Sequence, residues 1–259
     1  MSRSGAVIVH EDADVLSEAV ASRLINRLAD AQAHRGEASV VLTGGRIAAK
    51  VYAHVLASRV RGVVDWAKVD FWWGDERFLP SGDPERNETQ AREAFLDLLP
   101  VDPDRVHPMP AADVVDTPEE AAAIYAAELD AASGGAGVPQ FDLLLLGIGE
   151  DGHVASLFPE NPALAAAGQA VVGVHDAPKP PPQRVSLTMP TINSALAAWI
   201  IASGSGKAEA VGEALAGPPS AKPASRESAQ SPAGRVQAQG HTRWLIDADA
   251  AANLKHLEF

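Results

Sequence analysis

Residues 141–146 read Phe-Asp-Leu-Leu-Leu-Leu, and seven more short runs, at 6–9, 39–42, 69–73, 170–174, 184–188, 198–202 and 244–246, are apolar over most of their length. In several of them the apolar residues are consecutive rather than alternating. A strand of that kind has no face to offer to water, so both its faces must be covered, as in a parallel sheet between helices. Helix-period patterns at 14–33, 47–60, 87–99, 117–131, 207–216 and 249–257 fall between or after the runs. The fourth opens Thr117-Pro118-Glu119-Glu120, which is an N-cap, a proline at the first helical position and a capping-box glutamate. The alternation predicts an α/β sandwich with a mostly parallel sheet flanked by helices. Residues 133–137 read as a glycine-rich loop and 218–234, rich in Pro, Ser and Ala, as a long one. No linker separates two self-sufficient halves, so 1–259 is read as a single domain.

Composition narrows the function. Apolar residues make up 46% of the 259, enough for a sizeable core. There is no cysteine, so neither a disulfide nor a thiolate metal site can form, which fits a reducing, cytoplasmic setting. The first 14 residues hold only a short apolar run followed at once by acids, unlike a signal peptide or a membrane span. A net charge of −13 argues against nucleic acid or an anionic membrane as partner. It also means that an anionic small molecule must be held by a local cluster of cations and backbone N–H groups. The expected assembly is a monomer or a small homo-oligomer.

In open α/β sheets ligands bind beyond the carboxyl ends of the strands, so the residues after each run are the candidates. Thr43-Gly44-Gly45-Arg46 follows 39–42 and opens a helix, where glycines admit a ligand to the backbone and the helix start offers N–H groups. Gly74-Asp75-Glu76-Arg77 follows 69–73 and reads as a charged turn. Gly147-Ile148-Gly149-Glu150-Asp151-Gly152-His153 follows 141–146. It places a histidine, able to give and take a proton near neutral pH, beside carboxylates that can hold its tautomer. Arg184 follows the cluster Pro178–Pro182, and Ser203-Gly204-Ser205-Gly206-Lys207 opens another helix. The third loop also fits G-x-G-x-x-G. Two acids facing a pyrophosphate, and Pro159 and Pro162 interrupting the following helix, argue against a dinucleotide. There is no G-x-S-x-G elbow and no H-E-x-x-H, so neither a serine-hydrolase triad nor that zinc site is expected. The five tryptophans lie in or beside the runs and read as core.

Taken together, Thr-Gly-Gly at 43–45, FWWGDERFLP at 71–80, ERN at 85–87, FDLLLLGIGEDGHVASLFP at 141–159, PKPPPQRVSLTMPTIN at 178–193, SGSGKAEAV at 203–211 and a terminal WLIDADAA resemble the 6-phosphogluconolactonase family. That family shares a fold with glucosamine-6-phosphate isomerases. The resemblance runs through essentially the whole chain. It implies a modified Rossmann-like fold, hydrolysis of 6-phospho-D-glucono-1,5-lactone in the second step of the oxidative pentose phosphate pathway, and no cofactor. Ser-Leu-Phe-Pro at 156–159 follows the Asp-Gly-His motif as in lactonases, where isomerases carry a Phe-Asn-Glu-Pro type of segment. A sister isomerase or deaminase and a non-catalytic sugar-phosphate sensor are the rival readings. Many relatives read S-G-G-S-T-P in the first loop, so Arg46 stands where they carry a hydroxyl.

On this resemblance His153 is expected to act as general base on water, with Asp151 or Asp75 orienting it. The phosphate is assigned to the Gly44 and Gly45 amides beside Thr43, to Lys207 and to Arg184, with Arg46 and Arg77 as secondary contacts. The turn at 147–152 is expected to offer N–H groups to the oxyanion.

Overall fold

The structure, a computed structural model, describes residues 6–216 and 231–254. Six strands form an all-parallel sheet: β1 (Ala6–His10), β2 (Ala38–Leu42), β3 (Val69–Trp73), β5 (Leu143–Gly147), β8 (Ala197–Ala202) and β9 (His241–Asp247), in the order β1-β9-β8-β5-β2-β3. Three more form a small antiparallel sheet, β4 (Asp75–Arg77), β7 (Arg184–Leu187) and β6 (Val171–Val174), in the order β4-β7-β6. The runs at 170–174 and 184–188 therefore belong to this second sheet, which lies over one face of the first.

The consecutive apolar pattern has its expected cause. Leu143 and Leu145 point into one core and Leu144 and Leu146 into the other, all fully buried. In β8, Ala197, Trp199 and Ile201 alternate in the same way with Ala198, Ile200 and Ala202. The first core is closed by α1 (Ala13–Arg35), α2 (Arg46–Ala57) and the segment after α3 (Asn87–Ala94), through side chains such as Leu24, Tyr52 and Phe95. The second is closed by α4 (Pro118–Ala132), α6 (Ala208–Ala216) and the small sheet, through Tyr125, Val211 and Leu187. Burying one such leucine contributes about 1.5–3 kcal/mol. All five tryptophans are buried, as core residues should be.

Helix ends follow local chemistry. Asp12 caps α1, accepting from the N–H groups of Asp14 and Val15, and Gly36 closes it with a left-handed φ of 87°. Thr117 caps α4, its Oγ1 accepting from Glu120 N at 3.2 Å, while the Glu120 carboxylate reaches back to Asp116 N. Some expected bounds were too long. The pattern at 87–99 is helical only to Ala94, where Phe95 departs from helical geometry before a 3-10 turn (Leu96–Leu98). Lys207 closes a 3-10 turn (Ser205–Lys207) ahead of α6. Residues 249–253 form turns rather than the start of a helix, and 255–257 lie outside the described residues. Most of the expected 218–234 loop also lies outside them. Its described end holds a 3-10 turn, Pro232–Arg235, whose Ala233 N donates to Gly152 O at 2.9 Å. Among the described residues no helix is long and apolar enough to cross a membrane.

At the β3 edge His107 stacks on Trp72, with ring centroids 3.8 Å apart. Its Nδ1 lies 2.7 Å from Glu128 Oε1 and its Nε2 3.4 Å from Asp70 Oδ1. Burial alone would favour the neutral ring, but the hydrogen bonds and charges of Asp70 and Glu128 outweigh it and push the imidazole up to about 9. The folded value lies above the ordinary one, so this stabilisation is complete below the ordinary range and is lost as pH rises through about 9. The Tm deficit of His107→Gln relative to wild type is therefore expected to be largest near pH ~6 and to shrink above pH ~9 in thermal melts. A deficit independent of pH would contradict the charged assignment.

Candidate active site

The order β5-β2-β3 on one side and β5-β8-β9 on the other makes the β2/β5 boundary the point where the chain reverses direction across the sheet. A crevice must open there, at the carboxyl ends. A cavity of about 620 Å³ occupies that position. Its wall includes Thr43, Gly44, Gly45 and Arg46 after β2, Asp75 and Arg77 on β4, and His153 after β5. Arg184 on β7 and Lys207 after β8 complete it. Of the residues expected in the site, only Asp151 stands behind this wall.

Asp151 and His153 form a pair. Nδ1 of His153 lies 2.5 Å from Asp151 Oδ1, and the His153 N–H reaches the same oxygen at 3.3 Å. Burial pushes the Asp151 carboxyl up, but the hydrogen bond and charge of His153 and the backbone donors prevail and hold it at about 2. The pair rests directly on Gly149: a Cβ there would lie 2.0 Å from His153 Nδ1 and 2.3 Å from Asp151 Oδ1. Phe158 packs against the imidazole with centroids 4.4 Å apart. Ala155, next along the wall, adopts a left-handed φ of 50°. Such conformations cost energy and recur at functional sites.

Asp75 makes different contacts. It is buried, and its Oδ2 accepts from Ser156 Oγ at 2.7 Å while Oδ1 faces Asn87 Nδ2 at 3.3 Å. The expected charged turn at 75–77 is instead strand β4, paired with β7 through Asp75↔Ser186, Glu76↔Val185 and Arg77↔Arg184. Pairing removes that backbone from water, so its acids are buried rather than solvated. The Glu76 carboxylate accepts from the N–H groups of Arg77, Asn87 and Glu88 at 2.7, 2.7 and 2.9 Å, tying β4 to the start of α3. Burial pushes it up to about 7 against the opposing pull of Arg86 and those donors.

The cradle after β2 is set from both sides. Tyr52 Oη donates to Thr43 O at 2.7 Å and accepts from Thr43 N at 3.0 Å. Asn87 Oδ1 fills the space a Gly44 Cβ would need, at 1.8 Å. Gly45 is the α2 N-cap at φ 100°, ψ 165°, a conformation essentially closed to other residues. Gly204 repeats this geometry at φ 92°, ψ 154°. Asp247, at the end of β9, fixes that second turn by accepting from Ser203 Oγ at 2.6 Å and from Gly204 N at 3.0 Å. Among the described residues nothing accepts from Gly44 N or Gly45 N.

The cations differ in what already engages them. Buried Arg184 donates from Nε to Pro181 O at 2.8 Å and from Nη2 to Lys179 O and Pro180 O at 3.0 and 3.1 Å. Arg77 donates to Glu85 O. Lys50, also on the wall, pairs with Asp14 at 2.5 Å. Arg46 and Lys207 have no ion pair among the described residues. Burial, then Lys179 and Arg46 nearby, pull the Lys207 amine below its ordinary value, with Glu150 and Asp151 opposing.

Within the turn at 147–152 the N–H groups of Gly149 and Gly152 are already engaged, donating to His153 O at 2.9 Å and to Gly149 O at 3.1 Å. The residues that sequence reasoning missed are Asn87, Lys179 and Asp247. In the sequence Asn87 stands at a helix start and in the ERN match, and Lys179 in the proline-rich match, with no role given to either. The acidic end of β9 was the one signal for Asp247.

Residues 11–244 match the family described as glucosamine-6-phosphate isomerases/6-phosphogluconolactonase. The chain is 49% identical to a 6-phosphogluconolactonase of Streptomyces coelicolor, over 98% of this chain and 96% of that protein. It is 40% identical to a 6-phosphogluconolactonase of Mycobacterium tuberculosis, over 97% of this chain and 99% of the other. The solved 6-phosphogluconolactonase of Trypanosoma cruzi is similar in structure, with a TM-score of 0.83 at 26% identity covering 99% of both chains.

Gly149 is not among the residues with positive φ, so alanine meets no backbone penalty there and acts only through its Cβ. Gly149→Ala is expected to part Asp151 from His153. In carboxyl-carbon NMR the Asp151 titration should then rise from about 2 to at least the ordinary 3.8. An unmoved titration would show that the pair does not depend on the bare glycine.

Proposed function

The chain belongs to the glucosamine-6-phosphate isomerase/6-phosphogluconolactonase family, its reaction is the hydrolysis of 6-phospho-D-glucono-1,5-lactone to 6-phospho-D-gluconate, and we propose that His153 and the cationic wall of the β2/β5 crevice carry that reaction. The observation behind this assignment is a single cavity bringing together a carboxylate-held imidazole, two glycine-led helix starts and several cations. Its wall draws on segments from 13 to 207, which supports reading the chain as one domain.

The ionised Asp151 carboxylate accepts a hydrogen bond from His153 Nδ1–H, which leaves the Nε2 lone pair for water. Water deprotonated there attacks C1 of the lactone. The C1–O bond to water forms, the carbonyl electrons move to oxygen, and the tetrahedral intermediate collapses by breaking the C1–O5 bond. The imidazolium returns its proton to O5. Arg77 and Arg184 supply positive potential for the oxyanion; Arg184, expected at the phosphate, has its Nε and Nη2 already engaged by the carbonyls of 179–181. Asp75 acts at one remove, by holding Ser156 and Asn87. The phosphate sits on the Gly44 and Gly45 amides, beside Thr43, with Arg46 and Lys207 as its free cations. An arginine at the first position of α2 opposes the helix dipole, and an anionic ligand removes that conflict. Binding energy at the phosphate orients the ring over His153.

His153→Ala is expected to lower kcat by about 10²–10⁴-fold with little change in KM, since proton transfer in the transition state contributes about that much. Lys207→Ala is expected mainly to raise KM. Both are read with freshly generated lactone, corrected for spontaneous hydrolysis. Near-normal turnover by the His153 variant would refute the assignment. Ammonia release from glucosamine 6-phosphate, with no lactone turnover, would favour the sister activity.

A further inference from the structure

Lys179 has no role in the sequence reading, yet it lines the cavity. Its backbone is held: Lys179 O accepts from Nη2 of the buried Arg184 at 3.0 Å, so the segment that carries it is tied to the floor of the site. Its Nζ lies 3.9 Å from Glu150 Oε2, and both side chains are about half exposed or more, at 49% and 65%. An ion pair this long and this exposed adds little to stability. Glu150 immediately precedes Asp151, and its Oε1 lies 3.6 Å from where a Cβ on Gly206 would stand. The Lys179 charge also bears on Lys207, where it opposes protonation. Lys179, Glu150 and Lys207 thus meet at one rim, with an acid near two cations of the cavity wall.

We propose that Lys179 is a phosphate-specificity residue whose ammonium is shared between Glu150 in the free protein and the phosphate of the bound substrate. This rests on the lactonase reading of the cavity. Glu150 keeps two repelling lysines, Lys179 and Lys207, close together when no ligand is present. A phosphate monoester, mostly a dianion at neutral pH, attracts Lys179 more strongly than a single exposed carboxylate does, and the loose pair costs little to break. Glu150 competes with the phosphate for the Lys179 ammonium, so its removal strengthens binding through Lys179.

The test compares kcat/KM for 6-phosphogluconolactone with that for unphosphorylated gluconolactone, as a ratio, in wild type, K179A, K179R, E150Q and the double variant. K179A is expected to lower the ratio about tenfold, the order for one charge-assisted contact, and K179R to recover most of it. E150Q is expected to raise the ratio about two- to threefold, the order for an exposed pair, and to have no effect in the K179A background. An unchanged ratio in K179A, or an E150Q effect that persists without Lys179, overturns the proposal. Calorimetric binding of 6-phosphogluconate against gluconate gives a readout free of turnover. Lys179-dependent binding without any lactone turnover would sink the proposed function and leave this inference standing. Turnover with a Lys179-independent ratio would do the reverse.

Discussion

Parallel register is the constraint on which the site depends. Val41 pairs with Leu144 and Leu144 with Ala198, so β2, β5 and β8 run in step; Gly147 is level with Ile201, and Gly44 follows just past the end of β2. All three are in the cavity wall. Strands of like direction deliver all their carboxyl ends to the same edge, and the reversal of order between β2 and β5 leaves that edge uncovered there. The two-sided burial that makes β5 four consecutive leucines is thus also what fixes the height at which His153 emerges. A slip in this register would move every side chain of the strand to the opposite core.

Two close approaches convert that level edge into a site. Gly149 has to lack a side chain because the Asp151–His153 pair occupies the space, and Gly44 because Asn87 does. Asn87 is in turn held by the buried Glu76 at the start of α3. The Asp151–His153 pair and the turn at Gly44 are therefore each seated on a bare backbone and braced from behind. Electrostatics then acts locally. The protein carries a net charge of −13, yet the crevice gathers Arg46, Arg77, Arg184 and Lys207, so attraction of an anion is a short-range property of the wall rather than of the molecule.

Much of this was legible in the sequence, for identifiable reasons. Consecutive apolar runs state that both faces of a strand are covered, and the rule that ligands gather at carboxyl ends then pointed to loops that line one cavity. It was the long-range pairings that stayed hidden. Nothing in Gly-Asp-Glu-Arg shows that Asp75–Arg77 will pair with β7, because the partner lies about a hundred residues away. The same holds for Asp151 against Asp75. Both acids follow strands, and only folded geometry gives the first to His153 and the second to Ser156 and Asn87. Lys179 was obscured by its prolines, and Gly149 and Gly152 spend their amides within the turn at 147–152 in a way the sequence does not announce.

The orientation of the ligand across the crevice is the claim from which the rest follows, and a crystal structure of the complex with 6-phosphogluconate tests it most directly. The account predicts the phosphate against the Gly44 and Gly45 amides, Arg46 and Lys207, with C1 turned toward His153 Nε2. A phosphate bound at His153, with the carboxylate in the glycine cradle, would contradict it.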